Sequence, residues 1–362
     1  MCGRIGMVTG KGLAGVIKSH YSRTVLAIAV FLLFIANTIN IGADLGAMST
    51  SLGLVTHVPF GVGLIILTLF TVLTTVFIPY ATYVKILKWL ALSIGAYVIA
   101  AFTMHHVWST IFQSLLVPHI IWSKEYLLNI TAMLGTTISP YLFFWQAGEE
   151  VEEAIEKGKL HYFGKGRPEI TRADLLQMRT DTIIGMVVSN CITFFVIITA
   201  ASTLHDKGVV GIASATEMAS SLTPFAGSFA TILFALGIIG TGLLAVPTLA
   251  GSAGYALAES ASFEEGLGRT FSQAKGFYLV IIVSMLAGAL VNVLSIDPMA
   301  MLYYAAAANG ILAAPLMVII LLISNNKKIL GDKVNTPLSN LLGTTITFVM
   351  GVAGFLTVLS FF

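Results

Sequence analysis

The sequence predicts an all-α protein that crosses a membrane about nine times, and three observations lead there. Charged residues make up 10% of the 362 residues and hydrophobic ones 57%, with a mean hydropathy of +0.92. Soluble domains carry roughly 25% charge. Nine runs long enough to cross a bilayer as helices of about 20 residues are centred near Phe34, Leu67, Ile94, Ser139, Thr193, Ala235, Ser284, Ile311 and Val349. The basic residues then sort by loop. Arg4, Lys11, Lys18 and Arg23, Lys85 and Lys88, the six from Lys157 to Arg179, Arg269 and Lys275, and Lys327, Lys328 and Lys333 fall on one side of the nine crossings. Only Lys124 and Lys207 fall on the other. Basic loops stay cytoplasmic, so the pattern places the N-terminus inside and the C-terminus outside.

The chain opens with MCGRIGMVTGKGLAGVIKSH, which lacks the apolar core and small-residue cleavage site of a signal peptide. The first span therefore directs insertion. It contains FLLFIANTINIGADLGAMST and holds Asp44, the one acidic residue deep within a span, beside Asn37, Thr38 and Asn40. An unpaired carboxylate near the bilayer centre costs at least about 2.5 kcal/mol, so Asp44 must face a cavity or a partner, and such residues mark ion or proton paths. The alternative is an Asp44 hydrated at the outer interface or protonated in a helix contact. The second and third spans, around Leu67 and Ile94, rest on apolar length alone.

The fourth span, LLNITAMLGTTISPYLFFWQAGEEVEE, places Gly135, Thr136, Thr137, Ser139 and Pro140 at its middle. Residues 127–135 make one half-helix and Pro140 begins another, because proline has no N–H to continue the hydrogen-bond ladder. Backbone from Thr136 to Pro140 is expected to be non-helical and to face an internal cavity, which frees carbonyls and the hydroxyls of Thr136, Thr137 and Ser139. In lipid each broken backbone bond costs several kcal/mol, so irregular backbone survives only inside protein or beside a water-filled cavity. Broken helices at mid-membrane are how many secondary transporters hold substrate. The other reading is a proline kink whose freed groups are met by Thr and Ser side chains. The acidic end, GEEVEEAIEKGK, reads as a solvated helix extension with a Glu153–Lys157 pair at i, i+4, or as a lure for cations at an inner vestibule.

The fifth span contains Cys191, and neither it nor Cys2 is placed for a disulfide or a metal-thiolate site. The sixth, ALGIIGTGLLAVPTLAGSAGYALAES, is rich in Gly and Ala and predicts a closely packed scaffold helix. The seventh and ninth rest on apolar length. The eighth carries AAAANGILAAP, in which Asn309 either bonds a neighbouring helix or lines a cavity and Pro315 allows a bend. Linkers are short except for residues 108–126, 149–181, 205–224 and 259–275, so residues 1–362 form a single transmembrane domain. Soluble-enzyme motifs are missing, and His105 and His106 lack ligand spacing. No nucleophile and base pair stands at useful spacing, so neither an enzyme nor a resident cofactor is predicted. Basic residues dispersed over inner loops give no nucleic-acid footprint.

Taken together, GRIGMVTGKGLAGVIKSHY, IANTINIGADLGAMST and TTISPYLFFWQAGEEVEE resemble the Nramp family of divalent-metal transporters, and particularly its branch of Nramp-related magnesium transporters, over essentially the whole chain. The resemblance implies a LeuT-type fold of two inverted five-helix repeats in a prokaryotic plasma membrane. The ion is then held between the unwound middles of the first and sixth helices. The nine spans here correspond to family helices three to eleven, and the broken span to the sixth. Thr136 and Ser139 are thereby implied as metal ligands, Thr137, Pro140, Tyr141 and Asn309 as cavity or gating residues, and Asp44 as part of a proton or ion pathway.

Departures from the family pattern refine this. Metal-transporting relatives place an alanine, then methionine, proline and histidine in the sixth helix, where this chain has Thr136, then Ser139, Pro140 and Tyr141. A thioether favours transition metals, whereas oxygen ligands suit Mg²⁺, which usually keeps several waters. Mg²⁺, with Mn²⁺ second, is the expected substrate. Asp44 matches an acid of the family's proton route, but Ala47 stands where the second acid would be, which puts proton coupling in doubt. Residues 1–3 resemble the cytoplasmic end of the family's second helix, so the first two helices and their ion-binding aspartate are expected to be missing, as in a truncated reading frame or a degenerate form. The competing function is a non-transporting fragment or a scaffold pairing through its Gly-rich helices.

Overall fold

Backbone surrounded by lipid must satisfy its own hydrogen bonds, and this chain does so with helices throughout. The structure, a computed structural model, describes residues 1–361 apart from 80, 81, 84, 86, 88, 90, 91, 104–107, 118–120, 205–214 and 295, with the backbone alone at 110 and 225. Two short helices, α1 (Cys2–Thr9) and α2 (Leu13–His20), precede α3 (Arg23–Thr56) and α4 (Phe60–Phe77). Next come α5 (Gly95–Thr103) and α6 (Trp108–Leu116), then the two halves of the broken span, α7 (Lys124–Thr137) and α8 (Pro140–Glu156). The remaining long helices are α9 (Arg172–Thr203), α10 (Ala230–Ala261), α11 (Lys275–Val291), α12 (Pro298–Asn325) and α13 (Pro337–Leu359).

Among the described residues, eight segments are long and apolar enough to cross a membrane, with α7 and α8 counted as one. They coincide with eight of the nine spans read from the sequence. Of the third, around Ile94, Leu92–Thr103 is described, as a shorter apolar helix. His105, His106, Lys88 and Lys207 lie outside the described residues. The stretch read as a linker from 108 to 126 contains α6.

Helix ends follow local chemistry. Ser22 caps α3 by accepting from the Val25 N–H, and Thr171 with Asp174 forms a capping box at the start of α9. Asp297 accepts from Met299 and Ala300 while Pro298 takes the first turn of α12.

No hydrophobic force drives helices together within lipid, so close packing and hydrogen bonds must hold the bundle. Central α3 packs on α4, α10, α11 and α12. Its Gly42 lies so near α11 that a Cβ there would meet the Gly288 carbonyl at 2.7 Å. The Asn37 amide donates to the Leu249 carbonyl of α10 at 2.8 Å. On α10 itself Gly251 lies under the Trp145 ring and Gly254 under Phe277, the close approaches expected of a scaffold helix. By contrast, only 11% of the apolar window of α9 is buried. That helix touches α5 through the Thr199 hydroxyl on the Tyr97 carbonyl and through the Phe102–Phe195 rings.

Candidate functional site

The break in the fourth span is shorter than the sequence led us to expect. Ile138 N–H still donates to the Leu134 carbonyl at 2.8 Å, completing α7. Pro140 then opens α8, at a position that needs no N–H. Only Ile138 and Ser139 leave helical conformation. The expectation of non-helical backbone from Thr136 to Pro140 is corrected accordingly: Thr136 and Thr137 finish one helix and Pro140 begins the next.

The hydroxyls are likewise less free than expected. Ser139 donates through Oγ to the Gly135 carbonyl at 2.7 Å, covering one of the orphan acceptors at the end of α7. Thr137 donates through Oγ1 to the Met133 carbonyl at 2.9 Å. Each bond uses the hydroxyl hydrogen and leaves oxygen lone pairs for water or a cation. Ser139 is 4% exposed, whereas Thr136 stands on the exposed face of α7 with Met133. Among the described residues no group of three His, Cys, Asp or Glu side chains is placed to hold a metal ion. The donors that the break itself offers are the hydroxyl oxygens of Thr136, Thr137 and Ser139 and the carbonyls at the end of α7.

Around the break, Tyr141 gives its carbonyl to the Ser252 hydroxyl of α10 at 2.9 Å. Half-buried Asp44 of α3 lies within electrostatic reach of Tyr141, so the structure brings these two and the break together. Asn309 is used differently. Its amide and that of Asn40 donate to one another at 3.1 Å, which joins α3 to α12. Of the two readings open for Asn309, the helix contact is the one observed. Pro315 lies inside an unbroken α12.

The acidic end of α8 also differs from a plain solvated extension. The Glu153–Lys157 pair forms at 2.5 Å. Glu150, however, is 6% exposed and accepts from Gln146. Glu152 accepts from the Tyr255 hydroxyl at 2.9 Å and the Leu267 N–H at 2.5 Å. A cleft of about 620 Å³ between α8 and α9 is lined by Glu149, Glu153, Glu156 and Asp181 among others, so part of the run lines a cleft instead of extending freely into solvent. Beyond α10, Glu265 is buried near Glu259 and Glu152. Burial, reinforced by those neighbouring carboxylates, pushes its carboxyl up to about 10.

Sequence reasoning missed the residues that fasten the break. A Cβ on Gly135 would collide with the Ala306 carbonyl of α12, and one on Gly310 with the Thr131 carbonyl of α7. The small-residue pair Ala306 and Gly310, four apart, was the available signal. The Ser252 contact carried none.

A membrane helix bundle organised around one discontinuous span, with oxygen donors at the discontinuity, defines the broken-helix class of integral membrane proteins. Within that class the chain belongs to the Nramp family, whose model, described as natural resistance-associated macrophage protein-like, matches residues 1–360. It is similar to the divalent metal cation transporter MntH of Vibrio campbellii, 26% identical over 256 residues that cover 68% of this chain and 56% of that relative. The MntH of Yersinia enterocolitica is 25% identical over 370 residues, 96% of this chain and 80% of the relative. Among solved structures, a variant of the Eremococcus coleocola manganese transporter superposes with a TM-score of 0.76 at 14% identity, over 98% of this chain and 75% of that one. The fold is thus the LeuT-type arrangement that the resemblance implied.

Proposed function

We propose that the chain moves divalent cations across a membrane by alternating access, with Mg²⁺ preferred to Mn²⁺ and the N-terminus on the cytoplasmic side. The observation that carries this is the two-residue break between α7 and α8, whose donors are all oxygen. In this reading Thr136 and Ser139 supply part of the cation shell. Thr137, Pro140 and Tyr141 shape the cavity, and Asn309 holds α12 against α3 beside it. Asp44 supplies the negative charge that offsets the cost of bringing a divalent ion this deep. Relatives named divalent metal cation transporters support the substrate class. Preference for Mg²⁺ follows from the missing thioether, since oxygen-only sites suit a hard ion that keeps part of its water.

Coupling to protons is not part of this reading. Ala47 is 2% exposed and packed in an apolar cluster with Ala100, Leu222 and Phe234, so no second acid stands near Asp44 on α3. The membrane potential alone, worth about 2.3 kcal/mol per charge per 100 mV, draws a divalent cation inward. Uptake into liposomes containing a pH-sensitive dye tests the whole scheme. Mg²⁺ should enter without acidification, and Ser139→Met should shift preference toward Mn²⁺. Metal-dependent acidification would refute the uncoupled mechanism, and an unchanged Mg²⁺ to Mn²⁺ ratio would remove Ser139 from the ion's path. No uptake of either metal favours the scaffold alternative.

A further inference from the structure

Where α8 meets α9, carboxylates from both helices line one cleft of about 620 Å³: Glu149, Glu150, Glu152, Glu153 and Glu156 from the first, Asp181 from the second. Among the described residues no Lys, Arg or His lines it. Some of this charge is already met. Glu153 pairs with Lys157, and Glu152 accepts from the Tyr255 hydroxyl and the Leu267 N–H. Lys157 also acts on Glu150, but it is held by Glu153 and lines a separate, smaller cleft, where Lys159 is held by Asp174. Glu149, Glu156 and Asp181 make no hydrogen bond or ion pair among the described residues.

A run of glutamates at a helix end needs no ligand where water surrounds it. Glu150 is not surrounded by water. It is 6% exposed, with Gly3 of α1 packed against it. Its Oε1 accepts from the Gln146 amide at 2.8 Å, while its Oε2 has no hydrogen-bond partner. Glu149 and Asp181 both lie within electrostatic reach of it. A buried carboxylate oxygen left bare beside like charges costs free energy, which a cation in the cleft offsets. The geometry also selects the form of that cation. Among the described residues no three acidic, His or Cys side chains converge as direct ligands, so the ion is not stripped of its water and caged. Mg²⁺ binds in just this manner, through one or two carboxylates while keeping several waters. Six waters of about 30 Å³ each fit within the cleft.

We propose that the α8–α9 cleft is a second divalent-cation site, separate from the break, which holds a hydrated Mg²⁺ or Mn²⁺ between Glu149 and Glu150 of α8 and Asp181 of α9. It stands whether or not the break binds an ion. To test it, the full chain in detergent is titrated with Mn²⁺, and bound ion is counted from the loss of the free-ion paramagnetic resonance signal. Glu149→Gln and Asp181→Asn should each weaken one bound Mn²⁺ about tenfold, the effect of one carboxylate on a divalent ion held through water. Mg²⁺ should displace that ion and K⁺ should not. Asp181→Glu keeps the charge and should keep the ion, while Glu169→Gln removes an exposed carboxylate that does not line the cleft and should change nothing. Electron–nuclear double resonance in deuterated water should find about four or more waters on the bound ion. The proposal is overturned if both cleft variants bind Mn²⁺ as the unaltered chain does while remaining folded, or if Glu169→Gln weakens binding equally. An ion lost with Ser139→Met but with neither cleft variant would also overturn it, and would leave the role of the break standing.

Discussion

The two halves of the broken span meet at two residues, yet they are fastened to different parts of the bundle. Helix α7 is bolted to α12 through Gly135 and Gly310 and to α13 through the Thr131 and Thr357 hydroxyls, 2.6 Å apart. Helix α8 rests on α1 and α10. Gly6 lies against the Ala147 backbone, Gly148 against the Tyr255 ring, and Ser252 holds the Tyr141 carbonyl. Half-helices with separate partners leave Ile138 and Ser139 to absorb any relative movement, since hinges are a few element-terminal residues. Of the two proposed cation ligands, Ser139 thus lies in the mechanical joint itself and Thr136 stands two residues before it.

The largest effect is expected from enlarging one bolt. Gly135→Val puts methyl groups into the Ala306 carbonyl, and overpacking of this kind should cost about 3 kcal/mol. Hydrogen exchange should rise in α7 and α12 while α8 and α1 stay protected. Equal loss of protection in both halves would show that they form one body.

A second test addresses the α8 side, where Glu152 and the loop after α10 meet. Glu265 has its carboxyl pushed from an ordinary value near 4.5 up to about 10 by burial and by Glu259 and Glu152. The folded chain therefore holds a proton that the unfolded chain releases, so stability should fall as pH rises from about 5 toward 10. Glu265→Gln remains neutral throughout and should flatten that part of the thermal-unfolding profile. An unaltered profile would place Glu265 in a more hydrated setting than the structure shows.

The mildest changes remove single polar links. Thr131→Val loses the bond to Thr357, and Asn309→Leu the pair with Asn40. Hydrogen bonds between membrane helices average about 0.6 kcal/mol, so each should lower stability by roughly that amount in a denaturation series. Losses above about 2 kcal/mol would mean that these links do more than join helices.

Much of this was legible in the sequence. Runs of 20 apolar residues place the spans because the bilayer sets their length, and Pro140 marks the break because it lacks an N–H. The extent of the break was not legible. Thr137 and Pro140 each satisfy a helix-end requirement, so two residues suffice where five were expected. Nor was the use of Asn309, since a lone amide in a span reads equally as lining or as joint until its partner Asn40 is known. Buried Glu150 was read as solvated because nothing in GEEVEE reveals that Gly3 of α1 packs against it.

Oxygen atoms at the α7–α8 junction can meet a divalent cation only if the end of α7 is open to water and the ion covers it. With Cys2 and Cys191 changed to serine, Thr136→Cys provides a single thiol at the end of α7. Its reaction with a membrane-impermeant thiol reagent is then timed in the absence and presence of Mg²⁺ or Mn²⁺. The thiol should react, and cation at twice its dissociation constant should slow it about threefold. A thiol that never reacts, or one whose rate ignores both cations, would contradict it.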